Sequence, residues 1–349
     1  MRQRAATEPG RLTALWLREL RQGPRTYWQL LRKGGESAAE QIAALKELLA
    51  EGWVSYDGSH FYLTEAGQQR AAELDGELPA EALCSVCQGR GIVLSPPFQR
   101  LLEEFRRAAE GRPSAVPEYD QGCVTPEVSV LRVALMAQRG DLAGRDLLVL
   151  GDDDLTSLAA ALSGLPRRVL VLEVDARLVD FINDVARRLG LPHLLAERYD
   201  VRQPLPPEVR GRFDTFLTDP VETVPGFLLF LSRCAEALRG LGCAGYFGLS
   251  ALESSRAKWR RLQRGLLAMG FAITDALPAF QEYALEGILE RGYRVVTEAP
   301  VPLPPPEVPF YTSTLFRVEL ATPPRPLFRG PAELGRELYY DDEAYVTLP

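Results

Sequence analysis

The stretch at residues 148–162, LVLGDDDLTSLAAAL, decides the fold of this chain. A short apolar run of the kind that forms a buried parallel strand ends at Gly151, and an amphipathic helix begins a few residues later. In open α/β sheets such a turn lies at the carboxyl end of a strand and receives a ligand. A nucleotide loop normally carries glycines there, whereas this one carries Asp152, Asp153 and Asp154. The acidity of this loop is the first clue to function.

Strand-like and helix-like segments alternate from about residue 112 onward. The strand candidates are RDLLVLG, RRVLVLEVD, HLLAERYD, FDTFLTD, GCAGYFGLS and FAITDAL. Their alternation with helical segments predicts a doubly wound α/β fold, a parallel sheet covered by helices on both faces. The segments YRVVTEAP and STLFRVEL flank a proline run and predict a hairpin-like closing strand with an extended insertion.

Residues 1–76 predict a small winged-helix-like domain. Two helical segments, the second capped by Ser37, precede two short strands about an Asp57-Gly58 turn, and a further helix follows. The candidate recognition helix offers mainly Lys46 against several glutamates, which favours a scaffold or dimer contact over a DNA reader.

Three further segments complete the predicted organisation. A linker at 77–111 contains a Cys84-x-x-Cys87 turn, a catalytic domain covers 112–320, and an acidic, aromatic and flexible tail covers 321–349. Two thiolates fall short of the four ligands usual for structural zinc, and only Cys123 lies near in sequence. A metal at Cys84 and Cys87 is therefore left open, including one shared across a dimer.

The bulk composition excludes several classes of protein. Among 349 residues there are five cysteines, too few for a disulfide framework, and the net charge of −7 disfavours a large duplex-DNA footprint. No apolar run is long enough to span a bilayer and the first residues lack the apolar core of a signal peptide, so we expect a cytoplasmic protein. With only two histidines, acid–base chemistry falls to carboxylates or tyrosines. Few lysines and many prolines fit a GC-rich genome and a thermophile.

Acidic residues follow each of the first four predicted strands, and parallel strands bring their carboxyl ends to one edge of the sheet. An acid that ends the second strand commonly accepts both ribose hydroxyls of a nucleotide, and Asp200 is placed to accept from an adenine amino group. We predict a site for an adenosine-containing molecule made of Gly151, Asp152, Glu173, Asp175, Asp200, Val201 and Gln121.

The TDPVET segment at 218–223 resembles the Asp-Pro-Pro-Tyr type motif of enzymes that alkylate an exocyclic amine. Together with GDDDLTS it resembles the branched-chain polyamine synthases, over nearly the whole chain, although Val221 stands where a second proline is expected. The resemblance implies a seven-stranded, mostly parallel, Rossmann-like sheet of the methyltransferase type, and a homodimer. It also implies transfer of the aminopropyl group of decarboxylated S-adenosylmethionine to the internal amine of spermidine. The products would be N4-aminopropylspermidine, then N4-bis(aminopropyl)spermidine, and methylthioadenosine.

The charge of the donor explains the acidic loop. S-adenosylmethionine carries a carboxylate that three aspartates would repel, whereas the decarboxylated form keeps only an ammonium and a sulfonium. One aspartate suffices to cap the following helix, so three need another reason. We predict Asp154, Asp153 and Asp219 as the catalytic residues. For spermidine we predict contacts with Glu222, Asp120, Pro220 and Glu127, and with the acidic, aromatic tail.

Three other functions stay open from the sequence. A nucleic-acid amino-methyltransferase would need a basic groove, which the overall charge disfavours. A regulator that senses a nucleotide through a degenerate fold would not need the full set of acids at the strand ends. A linear spermidine synthase usually has a glycine-rich first loop and lacks the N-terminal module. For the predicted reaction the donor is a co-substrate, no tightly bound cofactor is required, and no nucleic acid or membrane partner is expected.

Overall fold

The computed structural model describes residues 10–74, 84–87, 89–284, 289 and 292–344. Its helices are α1 Arg11–Arg21, α2 Tyr27–Gly34, α3 Ala38–Ala50, α4 Glu65–Ala72, α5 Pro96–Ala108, α6 Pro126–Gln138, α7 Thr156–Leu162, α8 Ala176–Leu189, α9 Val224–Ala237, α10 Arg256–Met269 and α11 Arg294–Thr297. Its strands are β1 Val54–Tyr56, β2 Phe61–Leu63, β3 Asp146–Leu150, β4 Arg168–Glu173, β5 Leu194–Arg198, β6 Thr215–Thr218, β7 Ala244–Ser250, β8 Phe271–Glu282 and β9 Thr312–Leu320. Within these ranges no helix is both long and apolar enough to cross a bilayer.

The larger sheet has seven strands in the order β5-β4-β3-β6-β7-β9-β8. The first five in this order run parallel, and β9 is antiparallel to both β7 and β8. Every residue of β3 is buried, as expected for a central strand covered by helices on both faces. Two apolar cores, one on each face, sandwich this sheet. The predicted seven-stranded, mostly parallel α/β fold is confirmed.

The N-terminal domain contains α1–α4 and the β1–β2 hairpin around a core of its own. Ser37 caps α3, because its side chain accepts from the Glu40 N–H and the Glu40 side chain accepts from the Ser37 N–H. The hairpin pairs Val54 with Leu63 across the predicted Asp57-Gly58 turn. Residues 1–9 and 75–76 of the predicted domain lie outside the described residues, and its classification as winged-helix-like stays a prediction.

The prediction of a strand in YRVVTEAP was wrong, since this segment forms the short helix α11. Burial of Val295 in the N-terminal core and an Arg294–Glu298 ion pair, one helical turn apart, stabilise the helix against the β preference of its valines. The closing hairpin consists instead of β8 and β9. The proline-rich segment between α11 and β9 packs on the N-terminal domain, where Trp28 donates to the Pro304 carbonyl at 2.9 Å.

Parts of the predicted linker and tail are packed against the catalytic domain. Helix α5, inside 77–111, buries Leu101, Leu102 and Phe105 in the core on one face of the sheet. In the tail Leu338 is fully buried in the other core. Residues 345–349 lie outside the described part of the chain. The division into domains at 76, 111 and 320 stays a prediction.

A network of ion pairs surrounds Asp146 at the amino end of β3, and it should contribute to the stability of the protein. Asp146 on β3 is 5% exposed and accepts from Arg167 and Arg239 at 2.8 and 2.5 Å. These hydrogen bonds, Arg167 first, lower the pKa of Asp146 to about 2. A lowered pKa contributes stability above the unfolded-state value near 4, and that stability is lost as pH falls towards 2. We expect Asp146→Asn to lower the free energy of unfolding by about 1 to 2 kcal/mol at neutral pH.

Denaturant unfolding between pH 7 and pH 2.5 measures this effect. The difference between variant and unmodified protein should shrink towards the acid end. Asp184→Asn is the matched control, because the Asp184 side chain is 69% exposed in a surface pair. A constant difference across the pH range would contradict the assignment.

Candidate active site

A cleft opens at the carboxyl ends of β3, β4, β5 and β6. This is where a parallel sheet of this class binds its ligand. The strand-end and following-loop residues that line it are Leu150, Gly151, Asp153, Leu172, Glu173, Val174, Tyr199, Asp200, Val201, Asp219 and Val221. Tyr119, Asp120 and Gln121 line it from the loop before α6, Phe230 from α9 and Tyr339 from the tail. We call it the nucleoside cleft.

Glu173 is held rigidly at the end of β4. It is 4% exposed, and its two oxygens accept the backbone N–H groups of Asp152 and Asp175 at 2.8 and 2.9 Å. Burial raises the pKa of Glu173, an effect that these N–H groups oppose. Each carboxylate oxygen keeps a second lone pair, so the residue can accept from a pair of vicinal hydroxyls in the cleft.

Two other acids of the predicted nucleoside site are paired with arginines, Asp200 with Arg202 and Asp175 with Arg177. Arg202 binds Asp200 at 2.7 Å and lowers its pKa, and Asp200 still lines the cleft beside Val201. Asp175 does not line the cleft. Its carboxylate accepts a hydrogen bond from the Gln121 side chain at 3.2 Å. Because Gln121 lines the cleft, Asp175 helps to position a residue of the cleft wall.

A second cavity adjoins the cleft, and we call it the acidic cavity. Its lining residues are Asp120, Gly122, Asp153, Asp219, Pro220, Val221, Glu222, Glu253, Tyr283 and Tyr311. Five of them are carboxylates, and no lysine or arginine occurs among these described lining residues. The two tyrosine rings pack edge to face with centroids 5.0 Å apart. Carboxylates and aromatic faces that line one cavity suit a ligand with several ammonium groups.

Asp120, Asp153, Asp219 and Val221 line both spaces, so the cleft and the cavity meet at these residues. Asp153 accepts the Gly122 N–H at 3.0 Å. Burial raises the pKa of Asp153 well above its ordinary value, and the nearby charges of Asp154, Glu173 and Asp219 add to the shift. Asp153 is therefore a carboxylate suited to exchange a proton at the junction.

The other two aspartates of the loop face away from the junction. Asp152 is 2% exposed and accepts the Ser157 N–H in the first turn of α7, and burial raises the pKa of Asp152 to about 8. Asp154 accepts the Val124 N–H at 2.6 Å and binds Arg132 at 2.5 Å. Leu155, with φ of 54°, turns the chain into the helix immediately afterwards. The three consecutive aspartates thus have three different surroundings.

Asp219 follows β6 and is enclosed on several sides. One of its oxygens accepts from Arg132 at 2.6 Å and from the Tyr283 hydroxyl at 2.8 Å. An added Cβ at Gly248 on β7 would lie 2.2 Å from the other oxygen, so only glycine leaves space for this carboxylate. Burial raises the pKa of Asp219, and the Arg132 charge opposes that shift.

Glu222 and Glu253 lie together in the acidic cavity. Glu222 accepts the Ser250 N–H at 2.5 Å and the Ser254 hydroxyl at 3.2 Å. Burial, with the neighbouring Glu253 charge, raises the pKa of Glu222 well above its ordinary value. Such a carboxylate pair gains stability from a bound cation.

The structure brings most of the predicted residues together. Gly151, Glu173, Asp200, Val201 and Gln121 line the nucleoside cleft, Glu222 and Pro220 line the acidic cavity, and Asp120, Asp153 and Asp219 line both. Neither space is lined by Asp152, Asp154 or Asp175, whose side chains instead bind Ser157, Arg132 and Gln121, respectively. Glu127 binds Arg106 and lies outside the lining of both spaces, so the expected contact with the polyamine channel has no counterpart here.

Several site residues were missed from the sequence: Arg132, Glu253, Tyr283, Tyr311, Tyr119 and Phe230. Tyr339, in the tail predicted to contact spermidine, lines the nucleoside cleft instead of the acidic cavity. Arg132 carried a usable signal, since it is the one charged residue between Val128 and Met136 in an otherwise largely apolar helix. A buried arginine in such a helix needs a carboxylate partner.

The cysteine residues give no clear metal site. Cys84 is exposed and Cys87 half-buried. Across the described ranges, the three potential metal donors that come together are Cys123, Asp153 and Asp154. Burial raises the pKa of the Cys123 thiol, and Arg132 already occupies Asp154, so this group is a poor metal ligand set. No metal is assigned to Cys84 and Cys87, for which the sequence left the question open.

Comparison with known proteins identifies the family. The model of the branched-chain polyamine synthase A C-terminal domain matches residues 100–346. The N(4)-bis(aminopropyl)spermidine synthase of Thermococcus kodakarensis is 39% identical over 323 residues, 92% of this chain and 90% of that protein. The Thermus thermophilus enzyme of the same name is 47% identical over 256 residues, 73% of this chain and 74% of that protein.

A solved structure agrees over nearly the whole chain. The crystal structure of the branched-chain polyamine synthase from Thermus thermophilus, in complex with N4-aminopropylspermidine and 5'-methylthioadenosine, superposes with a TM-score of 0.85 at 40% identity. The match covers 98% of this chain and 95% of that one. The chain belongs to the branched-chain polyamine synthase family.

Proposed function

We propose that this chain transfers the aminopropyl group of decarboxylated S-adenosylmethionine to the internal secondary amine of spermidine, and then again to the same nitrogen. The observation that carries the proposal is the junction of the nucleoside cleft with a cavity lined by five carboxylates, at Asp153 and Asp219. The relatives named above, and the two ligands of the solved complex, support both substrate classes. An acidic junction also disfavours a nucleic-acid methyltransferase, whose substrate is a polyanion.

The two substrates are assigned to the two spaces. In the cleft, Glu173 accepts the ribose hydroxyls, Asp200 and Val201 lie along the base, and Tyr339 covers it from the tail. In the acidic cavity, Glu222 and Glu253 hold one ammonium arm of spermidine and the tyrosine rings contact its methylenes and charges. In this assignment we expect the sulfonium and the internal amine to meet at the junction.

The reaction is a direct displacement at the carbon next to sulfur. The nitrogen lone pair forms the new N–C bond, and the C–S electron pair leaves with methylthioadenosine. The amine loses one proton before attack, and Asp153 accepts it. The raised pKa of Asp153 brings it closer to the pKa of the ammonium group, which favours this proton transfer. Asp219 and the Pro220 carbonyl orient the amine, and alignment supplies much of the rate. The second transfer converts a tertiary amine into a quaternary ammonium and also releases one proton.

The test is a product assay. Purified protein is incubated with spermidine and decarboxylated S-adenosylmethionine, and masses are followed over time. We expect one and then two aminopropyl additions, with fragmentation placing both on the internal nitrogen. Addition to a terminal amine, or no addition, would overturn the proposal. A homodimer, a cytoplasmic location and a thermophilic source stay predictions.

Replacement of Glu222 tests the assignment of the acidic cavity. We expect Glu222→Gln to raise KM for spermidine about tenfold with a smaller change in kcat, because the amide keeps the Ser250 contact and loses the charge. Glu127→Gln is the matched control, since Glu127 pairs with Arg106 outside both spaces and should leave KM unchanged. Equal effects of the two variants on KM would contradict the assignment.

A further inference from the structure

Arg132 is a charged side chain buried beneath the junction. It lies on α6 with 2% of its surface exposed. Its guanidinium donates to three segments that are far apart in sequence: to Asp154 after β3 at 2.5 Å, to Asp219 after β6 at 2.6 Å, and to Gln281 on β8 at 2.7 Å. All three nitrogen atoms of the side chain are therefore used.

This geometry requires an arginine. A buried guanidinium needs charged, hydrogen-bonded partners, and here two carboxylates satisfy it. A planar fork with donors in fixed directions can bridge two carboxylates and an amide at once, whereas an ammonium acts as a point charge. Asp154 lies behind the cavity wall, and Asp219 lines both spaces, so Arg132 links a supporting carboxylate to one at the junction.

We propose that Arg132 is a positioning residue, which holds the Asp219 carboxylate ionised and aimed at the attacking amine by bridging it to Asp154. The inference rests on the proposed function and adds a residue that touches neither substrate. The charged and titratable groups facing Asp219 are Arg132 from α6, Asp153 and Asp154 from the loop after β3, Tyr283 after β8, and Glu222 in its own loop. Arg132 is the cation of this group.

The effect of the Arg132 charge on the ionisation of Asp219 can be tested by substitution. Burial raises the pKa of Asp219 and the Arg132 charge opposes that shift. Without the cation the pKa of Asp219 rises, so its ionised form requires a higher pH. We expect Arg132→Lys to lower kcat by about tenfold and Arg132→Met by about a hundredfold or more, with KM for spermidine changed less than kcat. The acid limb of the kcat profile should move up by about one pH unit in Arg132→Met, which has no cation at this position, and much less in Arg132→Lys, which keeps one.

Two further variants separate positioning from folding. Arg132→Met/Asp154→Asn removes the buried partner as well as the cation, and the amide introduced at position 154 can still accept the Val124 N–H, so stability should recover. Arg317→Lys is the matched control. Arg317 on β9 is 12% exposed and binds Asp141 at 2.8 Å, in a network that shares no residue with the site.

The outcomes are distinct. A shifted acid limb in Arg132→Met, a lower kcat in Arg132→Lys, low kcat in a double variant of restored stability, and an unshifted profile for Arg317→Lys support the inference. Superimposable pH profiles of Arg132→Met and the unmodified protein, or recovery of kcat together with stability in the double variant, overturn it. If Arg132→Met does not fold, Arg132→Lys and the double variant decide. Failure of the unmodified protein to transfer an aminopropyl group would count against the proposed function instead.

Discussion

Asp153→Asn is expected to lower kcat for aminopropyl transfer by about a thousandfold or more. Asparagine has nearly the same size and can still accept the Gly122 N–H, so the loop should keep its shape. It cannot take a proton from the amine, and it offers no negative charge to the cation at the junction. Each of these contributions is typically worth about two to three orders of magnitude at an active site.

The pH profile distinguishes a proton acceptor from a simple binding group. Since Asp153 must be ionised to accept a proton, kcat of the unmodified protein should rise with pH through the pKa of Asp153 in the complex. Asp153→Asn should lose the step due to Asp153 and keep the step due to Asp219, the one that Arg132→Met displaces. Asp184→Asn, on an exposed surface pair, is the control for a change of charge alone. Activity within tenfold of the unmodified protein in Asp153→Asn would contradict the role.

The second large effect concerns the choice of donor. We expect kcat/KM for decarboxylated S-adenosylmethionine to exceed that for S-adenosylmethionine by about a thousandfold or more. The extra carboxylate of S-adenosylmethionine would lie near Asp120, Asp153 and Asp219, where two spaces meet and water is scarce. Like charges held within a few ångströms cost several kcal/mol in such surroundings.

Calorimetric binding tests this discrimination without relying on turnover. The Kd ratio of the two donors should be large for the unmodified protein and should narrow in Asp153→Asn. Methylthioadenosine, which lacks the charged arm, serves as the control and should bind both proteins with similar affinity. Equal affinities of the unmodified protein for both donors would refute the electrostatic explanation.

The parts of the fold and site that follow a local rule could be predicted from the sequence. Apolar strands alternating with helices predict the parallel sheet, and parallel strands bring their ends to one edge. Glu173, Asp200 and Asp219 could therefore be placed together from the residue pattern alone, since each lies at or just after the end of a strand.

The parts that depend on long-range packing could not be predicted. Arg132 reaches Asp219 and Gln281, 87 and 149 residues away, and no periodicity indicates such a contact. Glu253 and Tyr311 join the acidic cavity from loops around the antiparallel strands. Helix α11 formed against the β preference of its valines because tertiary burial outweighed propensity. The different surroundings of the three aspartates depend on contacts with Gly122, Val124, Arg132 and Ser157, which the sequence of the loop does not indicate.

The separate surroundings of these three aspartates have a consequence for protein engineering. In a library that randomises the loop, most substitutions at position 152 should affect folding, because Asp152 accepts the Ser157 N–H. Substitutions at position 154 must leave a partner for the buried Arg132 guanidinium. Position 153 alone faces the ligand, so it is the one at which new donor chemistry can be screened. The three positions should therefore be mutated separately. If all three are randomised together, variants that fail to fold would mask useful changes at position 153.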